Sequence, residues 1–189
     1  MKEGIVYSGS FNPFHIGHFA TVEHLSKRFD LVLLVVSVQN PFKDKGMDNF
    51  NERIKNVREV IQRKGLKNVI VEDIEAQMQP PYYTINTLYK LEDKYPEIAL
   101  SYCVGGDCLI DFDKWKDWED ILIDFGLVVI PRKGYNHSDA INRLKSLAPT
   151  IEWNTLWYLI VLNANIPEVS STEIREKLSR GEDVSNLLP

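Results

Sequence analysis

Two histidines, His15 and His18, close the string Gly9-Ser10-Phe11-Asn12-Pro13-Phe14-His15-Ile16-Gly17-His18, which follows directly on the apolar run Gly4–Ser8. Turn-forming residues come first and helical spacing begins near Ile16, so the string reads as a strand–loop–helix junction. Such a junction aims backbone N–H groups and the positive end of a helix into the loop, an arrangement suited to an anion. At a helix start, residues three apart share one side, and both imidazoles could donate N–H to phosphate oxygens. Gly17 removes a side chain where a ligand would otherwise be blocked. Taken singly, each residue also has a structural reading: Ser10 or Asn12 as a helix cap, His18 as a satisfied core histidine, Gly17 as an aid to helix packing. Their convergence in one loop favours the anion site.

A second candidate lies near the far end, in Val169-Ser170-Ser171-Thr172-Glu173-Ile174-Arg175. It reads as a helix start with a capping box, Ser170 being the cap and Glu173 the third helical residue. Ser171 and Thr172 add hydroxyls to the N–H groups of that turn, and Arg175, one turn in, could present a guanidinium to phosphate. The cap alone accounts for the pattern structurally, and the phosphate reading stands beside it.

The elements that must position these residues alternate. Apolar runs at Gly4–Ser8, Leu31–Val38, Asn68–Val71, Ala99–Val104, Gly126–Ile130 and Trp157–Leu162 are continuous rather than alternating, as parallel strands covered on both faces are. Between them helical spacing links Phe19, Val22, Leu25 and Phe29; Ile54, Val57 and Ile61; Ile85, Leu88, Leu91 and Tyr95; and Ala140, Leu144 and Leu147. This predicts a doubly wound, Rossmann-like α/β fold, a mostly parallel sheet with helices on both faces, as a single domain over residues 1–189. Ligands in such sheets sit beyond the carboxyl ends of the strands, where the strand order reverses. The loosest connections are Gly46–Asn51 and Gln77–Tyr83, and neither repeats nor low-complexity segments occur.

With 189 residues, 44% of them hydrophobic and 26% charged, the chain can bury a substantial core, which excludes a disordered or fibrous protein. A formal charge of −5 argues against a nucleic-acid or membrane-surface partner, so any bound anion must be met by local positive charge. The apolar run after Met1 is too short for a signal peptide, and a cytoplasmic location is expected. Cys103 and Cys108 alone fit neither a disulfide framework nor a common zinc pattern, and both read as small core or loop residues.

Taken together, the early H-x-G-H and the late S-S-T-x-x-R resemble the nucleotidyltransferase superfamily. The residues between them narrow the resemblance to the bacterial nicotinate (nicotinamide) mononucleotide adenylyltransferase family. The matching blocks are Asn40-Pro41-Phe42-Lys43, Tyr83–Leu88, Val104-Gly105-Gly106-Asp107, Trp115 with Trp118, and Ile130-Pro131-Arg132-Lys133-Gly134. They occur in the family's order and span nearly the whole chain. The resemblance implies that ATP and nicotinate or nicotinamide mononucleotide give a dinucleotide and pyrophosphate, with Mg2+ carried by the ATP phosphates rather than by protein ligands. A homo-oligomer is left open.

The same resemblance implies residue roles. His15, His18, Lys43 and Arg175 would be the catalytic group, with His18 the donor to the transition state. Gly9, Ser10, Phe11, Gly105, Asp107, Ser171 and Thr172 would join His15, His18 and Arg175 around ATP. Asn12, Lys43, Tyr83, Thr84, Trp115 and Arg132 would meet the mononucleotide, Trp115 by stacking on the pyridine ring. Trp115 stands eight residues after Asp107, the family's spacing; it also shares helical spacing with Trp118 and Ile121, which would make it a packing residue. A mononucleotide phosphate has a second pKa of about 6, so the nucleophile arrives ionised and needs no general base.

One stretch departs from the pattern. Ahead of Tyr83 the family often carries Arg, Gly, Pro and Ser, whereas Gln77-Met78-Gln79-Pro80-Pro81-Tyr82 contains neither Arg nor Gly. Three other readings compete. His15-Ile16-Gly17-His18 also spells the HIGH signature of class I aminoacyl-tRNA synthetases, but the chain offers neither an anticodon-binding portion nor a basic face. Another phosphorylated acceptor, such as phosphopantetheine, would keep the superfamily and lose the Tyr83-Thr84 and Trp115 blocks. A non-catalytic nucleotide-binding regulator would be expected to lack the histidines or the late Ser/Arg group.

Overall fold

Apolar residues on alternate sides of the central strands build a sheet with apolar surface on both faces. The computed structural model describes residues 1–38, 49–131, 137–147, 159–161 and 165–189. Its strands are β1 (Lys2–Gly9), β2 (Leu31–Val36), β3 (Val69–Glu72), β4 (Ile98–Gly105), β5 (Leu127–Ile130) and β6 (Leu159–Val161). They form one sheet of order β3-β2-β1-β4-β5-β6, every neighbouring pair parallel. All six expected strands are present. The part of the expected Trp157–Leu162 strand outside 159–161 lies beyond the described residues.

The helices are α1 (Ile16–Ser26), α2 (Phe50–Lys64), α3 (Thr84–Lys94), a single turn α4 (Trp118–Asp120), α5 (His137–Leu147) and α6 (Ser171–Ser179). Two apolar clusters show why the strands read as continuous runs. Ile5, Tyr7, Val32, Leu34, Val36, Cys103 and Val128 face α1 and α2, meeting Val22, Leu25, Ile54, Val57 and Ile61. The residues between them, Val6, Leu33, Val35, Tyr102, Val104 and Val129, face the other way onto Ile85, Leu88, Leu91, Leu109, Phe112, Ile121, Ala140 and Leu144. Period-two alternation with both faces buried erases the polar half of the pattern.

The order reverses between β1 and β4, which diverge to opposite halves of the sheet. Their carboxyl ends, Gly9 and Gly105, therefore flank the crevice where doubly wound sheets bind ligands. Two connections differ from expectation. Phe50 and Asn51 belong to α2, whose cap is Asn49 in the left-handed region at φ 73°, its side chain accepting from Glu52 N at 3.3 Å. Within Gln77–Tyr83, Gln77 closes a 3-10 turn running from Ile74, so the open connection begins at Met78.

Candidate active site

His15 and His18 sit where the sequence places them and are arranged in a way it does not reveal. His15 is the N-cap of α1: its Nδ1 accepts from His18 N, and His18 Nδ1 accepts from His15 N, both at 3.3 Å. The pair forms a reciprocal capping box made of imidazoles rather than of Ser and Glu. The rings stack at 3.6 Å between centroids with 17° between planes. An Nδ1 that accepts a backbone N–H holds a lone pair, so each neutral ring carries its proton on Nε2. The capping arrangement thereby selects the tautomer that donates from the far side of each ring. His15 is only 2% exposed, and His18 is partly exposed.

Phe11 holds the loop in place from beneath. Its ring is 2% exposed and packs against Tyr7, Phe14 and His18, at 5.7, 5.3 and 5.0 Å between centroids. The residue sits at φ 47°, a left-handed conformation uncommon for a side chain of this size. The ring lies over Gly9, where a Cβ would come within 2.8 Å of it. The side chain of Phe11 thus belongs to the core, leaving its backbone to face any ligand of the loop.

The far segment is sewn onto the same loop. Arg175 Nη1 donates to the Asn12 carbonyl at 2.6 Å and Nη2 to Thr172 Oγ1 at 3.0 Å, while Ser171 Oγ donates to the Pro13 carbonyl at 3.1 Å. Ser170 caps α6 by accepting from Glu173 N at 3.1 Å. The carboxylate of Glu173 meets Lys177 Nζ at 3.1 Å, so the box expected here shows its Ser half, and the two-sided box lies at the histidines. Gly17 has a different purpose from the one expected. A Cβ there would lie 2.8 Å from the Pro167 carbonyl and 3.2 Å from the His15 ring, so the glycine admits the chain's own backbone rather than a ligand. Ile166, just before that contact, packs on the cluster of Val22 and Leu25. Two helix N-termini, two histidines, two hydroxyls and one guanidinium are thus gathered around residues 9–14, a donor-rich surface matched to a polyphosphate.

On the β4 side, the aromatic residues converge. Tyr102 is buried, and its hydroxyl shares a hydrogen bond with Ser8 Oγ at 2.8 Å. Burial is the main cause that pushes this phenol well above its ordinary pKa, so it stays protonated. Half-buried Trp115 meets Tyr102 edge-on at 6.1 Å and Phe112 at 5.2 Å, and Tyr83 packs against the same cluster. Trp115 has extended backbone and Asp117 is left-handed at φ 48°, which breaks the helical spacing that linked Trp115 to Trp118. Both tryptophans border the core cluster half-buried. Gly105 ends β4 and caps the following 3-10 segment, with Asp107 exposed beside it. Lys43 and Arg132 lie outside the described residues.

Sequence reasoning missed Arg53 and Glu75. Both are buried, at 6% and 5% exposure, and both bond to the chain just beyond β2. The available signal was a charged residue on an apolar helix stripe: Arg53 shares the side of α2 that buries Val57 and Val60. Among the described residues, no group of three or more His, Cys, Asp or Glu is placed to hold a metal, and no helix is long and apolar enough to cross a membrane.

A family model described as cytidylyltransferase-like matches residues 6–177. Among curated relatives, a "Probable nicotinate-nucleotide adenylyltransferase" of Flavobacterium psychrophilum is 34% identical, the match covering 100% of this chain and 92% of the relative. A protein of the same name from Bacteroides fragilis is 33% identical over 99% of this chain and 87% of its own length. In three dimensions the chain is similar to Plasmodium falciparum nicotinic acid mononucleotide adenylyltransferase complexed with NaAD, with a TM-score of 0.77 over 98% of this chain and 88% of that one. At 18% identity, that likeness concerns the fold.

Proposed function

The chain belongs to the cytidylyltransferase-like family and, within it, to the nicotinate-nucleotide adenylyltransferases, and on that footing we propose that it transfers AMP from ATP to nicotinate mononucleotide. The observation that carries the proposal is the junction of the α6 start with the loop after β1. It brings Ser171, Thr172 and Arg175 to the loop that holds His15 and His18. Such a set of donors without a carboxylate suits ATP phosphates.

In the proposed reaction a phosphate oxygen of the mononucleotide attacks the α-phosphorus of ATP. The new P–O bond forms as the bond to the β-phosphate oxygen breaks, and pyrophosphate leaves with that electron pair. The nucleophile is ionised at neutral pH, so no residue has to remove a proton from it. Catalysis reduces to alignment and to stabilising charge on the phosphoryl oxygens. Nε2–H of His18 donates to those oxygens, with His15 beside it fixing the ring. Ser171, Thr172 and Arg175 hold the β- and γ-phosphates as they depart, and Lys43 adds positive charge from the connection after β2. Gly9, Ser10 and the Phe11 backbone line the phosphates, while Gly105 and Asp107 flank the adenosine.

Trp115 stacks on the pyridine ring, with Tyr83, Thr84, Asn12 and Arg132 around the mononucleotide. Mg2+ is carried by the ATP phosphates and neutralises part of their charge. Cys103 is buried on β4 and Cys108 is exposed just beyond it, and a cytoplasmic location is proposed with this activity.

The test is incubation with MgATP and either nicotinate or nicotinamide mononucleotide, with pyrophosphate and dinucleotide both quantified. Dinucleotide should form with the higher kcat/KM on the acid. No dinucleotide from either acceptor, or turnover of phosphopantetheine instead, refutes the proposal.

A further inference from the structure

The loop carrying the histidines is also held from the side opposite α6. Arg53 lies near the start of α2, and its Nη1 donates to the carbonyls of Ser10 at 2.7 Å and Ser37 at 2.8 Å, while Nη2 donates to that of Val38 at 3.2 Å. Glu75, on the turn after β3, accepts from Val38 N at 2.9 Å through Oε2 and from the Thr87 hydroxyl at 3.3 Å through Oε1. Ser37 N donates to the Gly9 carbonyl at 2.9 Å. One guanidinium therefore ties together the chain leaving β1 and the chain leaving β2.

Adhesion of α2 to the sheet does not need this group, because Ile54, Val57, Val60 and Ile61 already bury the helix face. Burying a cation is unfavourable, and here it also leaves Nε of Arg53 without a hydrogen-bond partner among the described residues. A lysine would strand no such N–H, but its single ammonium cannot span three carbonyls in a fixed plane. What the arginine adds is geometry.

We propose that Arg53, supported by Glu75, is a positioning residue for adenylyl transfer: it fixes the spacing between the β1 loop, with Ser10 and the histidines, and the chain leaving β2. It touches no reactant and acts through Ser10, Ser37 and Val38. The proposal rests on the adenylyltransferase reading above and concerns how that site is held rather than what it binds.

The test compares R53K and R53M with the wild type, measuring kcat, KM for ATP and thermal midpoint on whichever acceptor the wild type turns over. Loss of a group that orients the reacting set costs on the order of 10–100-fold. R53K should therefore fold and lose about that factor in kcat, with KM for ATP within about three-fold of wild type, and R53M should lose more. A folded R53K with kcat within about two-fold of wild type overturns the inference, as does a loss confined to KM. Failure of R53K to fold also overturns it, because the arginine would then be structural only. Because the comparison is a ratio on the acceptor actually used, a different acceptor would refute the nicotinate assignment and leave the ratio readable. A wild type that adenylates no acceptor refutes both.

Discussion

Replacing His18 by Asn and, separately, by Gln separates its two uses. Nδ1 of His18 caps the His15 N–H at 3.3 Å, and its ring lies on His15 at 3.6 Å and edge-on to Phe11 at 5.0 Å. Asn can place an amide oxygen near the Nδ1 position, which preserves the cap, but it offers nothing at the position of Nε2. The stability lost is then mainly the ring stacking, about 0.5–1.5 kcal/mol. For a chain of this size that lowers the thermal midpoint by about 2–4 °C per kcal/mol, and the protein stays folded. The rate should suffer far more, because removing one preorganised donor costs about 10²–10³ in kcat, roughly 2.7–4 kcal/mol. Gln reaches further and can put an amide N–H near the lost Nε2–H, so H18Q should recover part of the deficit while losing the cap. The assay is pyrophosphate release at saturating MgATP and nicotinate mononucleotide, alongside a circular-dichroism melt of each variant. A folded H18N with kcat within about five-fold of wild type refutes the donor role, and H18Q slower than H18N refutes the assignment of the donor to Nε2.

Other consequences are narrower. Trp115→Ala should raise KM for the mononucleotide about ten- to hundred-fold, the worth of one lost ring stack, and leave KM for ATP nearly unchanged; equal effects on both substrates count against stacking. Gly17→Ala should destabilise by about 1–3 kcal/mol, because the new Cβ meets the Pro167 carbonyl at 2.8 Å, and a melt no lower than wild type would disprove that contact. Glu75 is held above the ordinary carboxylate range first by burial, against the opposing Val38 N–H, Thr87 hydroxyl and Arg53. Its folded form thus binds a proton longer than its unfolded form, and its contribution to stability is full below the unfolded pKa and is lost as pH rises through the folded one. Urea unfolding of Glu75→Gln across that acidic range should show a flatter pH dependence than wild type, and an unchanged slope would exclude Glu75 as its source.

The strands and helices were readable because burial acts on them periodically. Val6 and Leu33 face one cluster while Ile5 and Val32 face the other, so a parallel strand shows as an unbroken apolar run and its covering helices as stripes. The residue types around the first loop and before α6 were legible for a similar reason, since a strand–loop–helix junction and a helix cap leave short local signatures. Where those residues go was not. Ser171 bonds Pro13 and Arg175 bonds Asn12 across separations of 158 and 163 residues, and each acceptor is a backbone carbonyl, which every residue carries alike. Arg53 meets the same kind of acceptor at Ser10, Ser37 and Val38, so beyond its place on the apolar stripe nothing in the sequence sets it apart from the other charges of its helix. Even the histidines changed meaning: the sequence marked them as donors, and the fold decided that each spends Nδ1 on the other's backbone. By itself the sequence determined the sheet, its covering helices and the kinds of donor available. Which donors share one surface was decided by tertiary hydrogen bonds to main-chain carbonyls, and those leave no mark on the residue that accepts them.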